Sequence, residues 1–207
     1  MGRRHDDRSI RRRGPSRQPK HRILIVCEGK MTEPGYFKAL QHEVRNPRLH
    51  VKAIGPAGVP ITVVETAISE KSSADDAAER EKDDNLRWDQ IWAVFDTDDH
   101  PNLVAAMQLA ERNTISLAVS NPCFELWALL HFEEQRSHVE RTKVREALKK
   151  HLPRYDKELE FSKVHAGYSE AVRRARQLDD DAARQEEPGR NPTTGVYRLT
   201  ELIRVST

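Results

Sequence analysis

Arg22-Ile23-Leu24-Ile25-Val26-Cys27-Glu28-Gly29-Lys30-Met31-Thr32-Glu33 decides how this chain folds. Five consecutive apolar residues, Ile23 to Cys27, read as a short strand buried on both faces. The run stops at an acid and a glycine, and a helix follows. Thr32 is placed to cap it, Glu33-Pro34 suits its first turn, and Phe37, Leu40 and Val44 recur at helical spacing. Glu28 thus falls at the carboxyl end of a strand in an open α/β sheet, the edge where ligands bind. The plain alternative is a glutamate in a solvated strand-to-helix turn.

The pattern repeats downstream. Leu49–Ile54 alternates as a second strand, closed by Gly55-Pro56, and a helix follows with Ile61, Val64, Ala67 and Ile68 on its inner stripe. Residues 69–85 are polar and charged, a solvated helix end or a loop. Asp89–Phe95 is a third apolar strand that runs into Asp96-Thr97-Asp98-Asp99-His100, and a helix with Leu103 and Met107 starts after Pro101. Ile115–Val119 is a fourth strand, followed by Ser120-Asn121-Pro122-Cys123 and a helix, Phe124 to about Phe132, apolar nearly all round. Alternating strands and helices imply parallel βαβ units. The expectation is a core over residues 22–132 built on a mostly parallel four-stranded sheet flanked by helices. Residues 133–207 read as a helical extension packed on that core, with helices at Val139–His151, Gly167–Asp181 and Val196–Ile203. Their apolar stripes are too narrow for a core of their own.

Charge narrows the function. The net charge of +2 is too small to establish nucleic-acid binding, but its distribution is uneven. Residues 1–21 carry Arg3, Arg4, Arg8, Arg11, Arg12, Arg13, Arg17 and Lys20 against Asp6 and Asp7, with almost no apolar content. This reads as a basic arm that orders on meeting a polyanion, or as a solubilising tail. It lacks the amphipathic face of a transit peptide, and no apolar stretch approaches the ~20 residues that cross a bilayer. Cys27 and Cys123 sit in apolar segments without metal-ligand spacing, which suits reduced core thiols of a cytoplasmic protein; the alternative is a disulfide between them.

The second acidic cluster matters because it occupies the same topological place as Glu28. If the two strands are neighbours, Glu28 meets Asp96 and Asp98 at one edge, with Asp99 as a further acid. Carboxylates held together raise each other's pKa unless a cation joins them. Hard divalent ions with oxygen ligands suit that arrangement, and Mg²⁺ or Mn²⁺ fits best. The Asp-x-Asp spacing puts two side chains on one side of an extended segment. An acidic metal site beside a basic arm suggests phosphoryl chemistry.

Val26-Cys27-Glu28-Gly29 with Thr32-Glu33, then Val94-Phe95-Asp96-Thr97-Asp98-Asp99, resembles the Toprim domain of topoisomerases, primases and overcoming-lysogenization-defect nucleases. More closely, the sequence resembles the RloB family, encoded near restriction–modification and abortive-infection loci. Ser120-Asn121-Pro122-Cys123-Phe124-Glu125-Leu126-Trp127 and Asn191-Pro192-Thr193-Thr194-Gly195-Val196-Tyr197 look like that family's further signatures. The resemblance implies a Toprim-like fold. It implies Glu28 as a general acid/base, Asp96 and Asp98 as Mg²⁺ ligands, and Glu33 as an acid that reaches the metal through water. It further implies a Mg²⁺-dependent nuclease acting on DNA, tRNA or other RNA in anti-phage defence, controlled by a partner ATPase. The sequence has no Gly-rich Lys-Ser/Thr phosphate loop, so such an ATPase is expected to be another polypeptide. The rival expectation is a non-catalytic nucleic-acid-binding or regulatory subunit that keeps the Toprim shell.

Other candidates carry two readings each. Lys30 is a phosphate contact or an exposed turn lysine. Asn121 and Glu125 follow the fourth strand; a buried Glu125 needs a metal or a basic partner such as Lys163 or Arg198. His100 is a metal ligand or a helix-start residue, and His131, Phe124 and Trp127 read as core. Arg173, Arg174 and Arg176 track a phosphate backbone or make a solvated charged face.

Overall fold

The computed structural model describes residues 20–56, 58–97 and 102–205. The elements run β1 (His21–Cys27), α1 (Thr32–Val44), β2 (Leu49–Ile54), α2 (Pro60–Glu81), a 3₁₀ turn at Asp84–Leu86, and β3 (Gln90–Asp96). After these come α3 (Leu103–Arg112), β4 (Ser116–Asn121), α4 (Glu125–Leu130), α5 (Arg141–His151), α6 (Phe161–His165), α7 (Tyr168–Arg184), β5 (Thr193–Thr194) and α8 (Val196–Val205). The strands make one sheet in the order β2-β1-β3-β4-β5. The first four pair in parallel, and β5 lies antiparallel to β4. This is the expected Toprim-like α/β architecture with one short strand added to the edge.

The alternation of β1 explains why an unbroken apolar run was needed. Ile23, Ile25 and Cys27 point into a core shared with α1, α4, α5, α7 and α8. Leu24 and Val26 point the other way, into a core with α2 and α3. Each of these five side chains is fully buried, and each burial contributes about 2 kcal/mol. Any polar residue in Ile23–Cys27 would lose water on one face or the other.

The helices after β4 do not form a core of their own. Trp127, Leu130, Val144, Leu148, Val164, Ala175 and Leu199 join the cluster that also holds Ile23 and Phe37. Two local expectations change, at α1 and at α4. Thr32 is the first residue of α1 and not its cap: Met31 takes the cap position, and the Thr32 hydroxyl donates to the Lys157 carbonyl at 2.7 Å. Of the two readings of the polar stretch the helix end is the one found, since α2 continues to Glu81. α4 stops at Leu130, shorter than its apolar run suggested.

The chain order places β2 and β3 on opposite sides of β1, so the direction of winding reverses between β1 and β3. In an open α/β sheet that is where a crevice opens at the carboxyl ends of the strands. Glu28 follows one of these strands, and Asp96 ends the other.

Candidate active site at the carboxylate cleft

The crevice is a cleft of about 400 Å³ between the β1–α1 turn, the end of β3, the start of α4, the inner face of α5 and the loop after α5. Glu28, Glu33, Asp96 and Glu125 bring four carboxylates to its walls. Lys30, Arg141, Arg145 and Lys157 bring four cations.

Glu28 and Asp96 meet through the backbone. Cys27 and Val94 are register partners of β1 and β3, and the Glu28 N–H donates to the Val94 carbonyl at 2.9 Å. In return the Asp96 N–H donates to Glu28 Oε2 at 3.0 Å. The Asp96 side chain then meets Arg141 of α5, whose Nη2 donates to Asp96 Oδ2 at 2.9 Å and to the Pro122 carbonyl at 3.4 Å. Burial pushes the Asp96 carboxyl well above the usual carboxylate range. Arg141 opposes this, while Glu28, Glu125 and Glu33 add to it.

Glu33 turns back over the strand-to-helix turn, where the Gly29 N–H donates to its Oε1 at 3.2 Å. Burial raises its pKa; the backbone N–H groups of Glu33 and Gly29 pull it down, and Glu125 and Glu28 push it up. A Cβ at position 29 would lie 2.2 Å from Glu33 Oε2, so a larger residue there would push the Glu33 carboxylate out of this position.

Glu125 is buried at the start of α4, and its partner is neither Lys163 nor Arg198. Arg145 Nε donates to Glu125 Oε1 at 2.7 Å, and the Tyr155 hydroxyl donates to the same oxygen at 3.0 Å. Burial works to raise the Glu125 pKa, but the Arg145 charge, the Glu125 backbone N–H and hydrogen bonds from Cys123 and Arg145 win, leaving it lowered. Glu125 is therefore a buried anion with its charge balanced within the chain.

The donor set suits a hard divalent ion. Two carboxylates, one just after β1 and one ending β3, line one cleft, and beyond the effect of burial the acids around Asp96 add to its raised pKa, a repulsion that a cation relieves. Among the described residues, no three acids, histidines or cysteines stand close enough to hold a metal ion by themselves. Mg²⁺ does not require such a cage, since it usually rests on one or two carboxylates, waters and substrate phosphates. Glu28 and Asp96 would hold it. Asp98 and Asp99, the other expected ligands, lie outside the described residues, as do His100 and the arm with Arg11, Arg12 and Arg13.

A family model described as RloB-like protein matches residues 23–203, nearly the whole chain. The chain belongs to the RloB-like family. Comparison with the curated proteins and with the solved structures finds no match.

The two later signatures of the RloB-like chain form one structural unit. Ser120 pairs with Thr194 and Asn121 with Thr193 across β4 and β5, and the Ser120 and Thr194 hydroxyls lie 2.9 Å apart. Asn121 Nδ2 donates to the Gly189 carbonyl at 2.9 Å, and Asn121 is not among the residues lining the cleft. Asn191 clamps Val139 from both sides: its Oδ1 accepts from the Val139 N–H at 2.9 Å, and its Nδ2 donates to the Val139 carbonyl at 2.8 Å. Val139 sits two residues before α5, so this clamp sets where Arg141 and Arg145 enter the cleft.

The remaining candidates fall into place around this. Lys30 lines the cleft on its exposed rim. Arg173 pairs with Glu134 and Glu170, Arg174 donates to the Leu130 carbonyl, and Arg176 pairs with Glu201. All three arginines lie on α7, which contributes no residue to the cleft wall. Cys27 and Cys123 are buried free thiols whose pKa burial raises, so they are packing residues. His131 and Trp127 are buried together, with His131 Nδ1 2.8 Å from the Trp127 carbonyl. Sequence reasoning missed Arg141, Arg145, Tyr155 and Lys157. The signal for the first two was their spacing of four on one amphipathic helix, which puts both on one face. Among the described residues no helix is long and apolar enough to cross a membrane.

Proposed function

We propose that this chain is a metal-dependent, Toprim-type nuclease that hydrolyses nucleic-acid phosphodiesters in anti-phage defence. The observation that carries the reading is the meeting of Glu28 with Asp96 at the winding reversal of the sheet, in a cleft that also holds four cationic side chains. When bound, Mg²⁺ or Mn²⁺ offsets the charge of the phosphate and makes an attacking water available at neutral pH.

The chain's own residues supply the rest. Glu28, held in place by the Asp96 N–H, moves the proton: it takes one from the attacking water as the new P–O bond forms, or passes one to the ester oxygen that leaves. Asp96 presents its carboxylate at the same edge. Lys30 and Lys157 stand on the rim, where ammonium groups draw in a phosphate backbone by a salt-sensitive, sequence-independent attraction. The basic arm is proposed to add to that attraction. Control by a partner ATPase is proposed on the family's genomic setting alone.

The test is incubation of the purified chain with plasmid, single-stranded DNA and total tRNA, in Mg²⁺, in Mn²⁺ and in chelator. Cleavage of one of these substrates in the presence of the metals, and none in chelator, is expected. Binding of nucleic acid without cleavage under every metal condition would instead favour the non-catalytic subunit.

A further inference from the structure

Arg141 and Arg145 lie four residues apart on the face of α5 that lines the cleft, yet their surroundings differ. Arg145, whose side chain is 45% exposed, has a fixed partner. Its partner Glu125 is buried, is held again by the Tyr155 hydroxyl, and stays charged inside the fold. Arg141 has a different partner. It reaches Asp96, whose side chain is 12% exposed, with its own side chain 28% exposed, and its Nη2 also touches the Pro122 carbonyl at 3.4 Å. The contact lies on Asp96 Oδ2, an oxygen of the carboxylate that the proposed function needs for a divalent ion.

A guanidinium and a divalent cation bound to one carboxylate repel each other strongly in a partly buried site. We infer that Arg141 is an exchange residue: it neutralises Asp96 while the cleft holds no cation, and it turns to a substrate phosphate oxygen once a divalent cation takes Asp96. The inference rests on the reading of this cleft as a divalent-cation site. Chemistry supports the second half. The guanidinium stays charged at every working pH, and its planar fork of N–H donors fits phosphate as well as it fits carboxylate. The stem of Arg141 is anchored on a helix whose entry is clamped by Asn191, so the head can change partner without moving the helix.

The exchange makes Arg141 a competitor of the metal and an ally of the anion. The test measures Mn²⁺ uptake by electron paramagnetic resonance on the full chain, without nucleic acid, for the parent, Arg141→Gln, Arg141→Lys and Asp96→Asn. Arg141→Gln is expected to bind Mn²⁺ about tenfold more tightly than the parent, because the competing charge is gone. Arg141→Lys, which keeps a positive charge, should fall between the two, and Asp96→Asn should lose the site. Sulfate, a tetrahedral dianion, added at constant ionic strength, should tighten Mn²⁺ binding to the parent by giving Arg141 an anion other than Asp96, and should leave Arg141→Gln unchanged. A folded Arg141→Gln, or Arg141→Lys if the first variant does not fold, that binds Mn²⁺ no more tightly than the parent overturns the exchange. So does sulfate that acts equally on parent and Arg141→Gln. A parent that takes up no Mn²⁺ overturns the reading of the cleft as a metal site, and that outcome is distinct from failure of the exchange alone.

Discussion

The Asp96 N–H donates to the Glu28 carboxylate at 3.0 Å, so the last residue of β3 fixes the side chain that follows β1. The two residues are 68 apart in sequence and are brought together by the parallel pairing of their strands. Glutamine keeps an oxygen that can accept the same bond, but it cannot take up a proton. Glu28→Gln is therefore expected to fold as the parent does, with its melting temperature within a few degrees, and to cleave about 10²–10⁴-fold more slowly. Circular dichroism and a single-turnover assay on one preparation check both halves.

Gly55 closes β2 against the same turn. A Cβ at this position would lie 2.0 Å from the Gly29 carbonyl oxygen, which is backbone and cannot swing aside. Gly55→Ala must displace the Glu28–Gly29 turn or bend β2, at a cost of about 1–3 kcal/mol. Urea denaturation reads the stability loss, and cleavage should fall with it although no charged group has been touched.

Asn191 acts on the cleft from a distance. Replacing it with alanine leaves the Val139 N–H and carbonyl without their side-chain partners, at a cost of about 1–3 kcal/mol. The start of α5 should loosen. The measurable sign is faster hydrogen exchange at Val139–Arg145, with the amides of β1 unchanged.

His131 sets an acid limb on stability. Burial lowers its pKa from 6.5 to about 4, against hydrogen bonding to the Trp127 and Ala128 backbone that works to raise it. The folded state thus holds the neutral ring, while the unfolded chain binds a proton below about pH 6.5. Stability from this residue is complete above that value and is lost as pH falls toward 4, a change of about 3 kcal/mol. His131→Gln should lose less stability than the parent between pH 7 and 4.5, measured by urea denaturation at the two values.

Much of this was legible before any coordinates. The Ile23–Cys27 run, with an acid after it, places a ligand edge because a strand buried on both faces admits few neighbours other than helices. The later apolar strands then follow by the same pattern. Pairing of Glu28 with Asp96 required only that β1 and β3 be adjacent. The partners of the acids were not legible. Arg141 and Arg145 sit on a helix whose inward face is set by packing against α4, and nothing in its own periodicity tells which acids that face will meet. The Asn191 signature was equally opaque, because its role is a clamp on Val139, 52 residues earlier. Thr32 misled for the opposite reason: a good capping residue was taken by the Lys157 carbonyl from a distant loop.

The most direct test of the central claim is the Mg²⁺ dependence of nucleic-acid cleavage by the parent and by Asp96→Asn. Asparagine keeps an acceptor for Arg141 and preserves the shape of the site while removing the negative charge that would hold the cation. The account predicts cleavage by the parent that saturates with Mg²⁺ and stops in chelator, and none by Asp96→Asn at any Mg²⁺ concentration. Cleavage by Asp96→Asn at the parent's rate, or parental cleavage that persists in chelator, would contradict it.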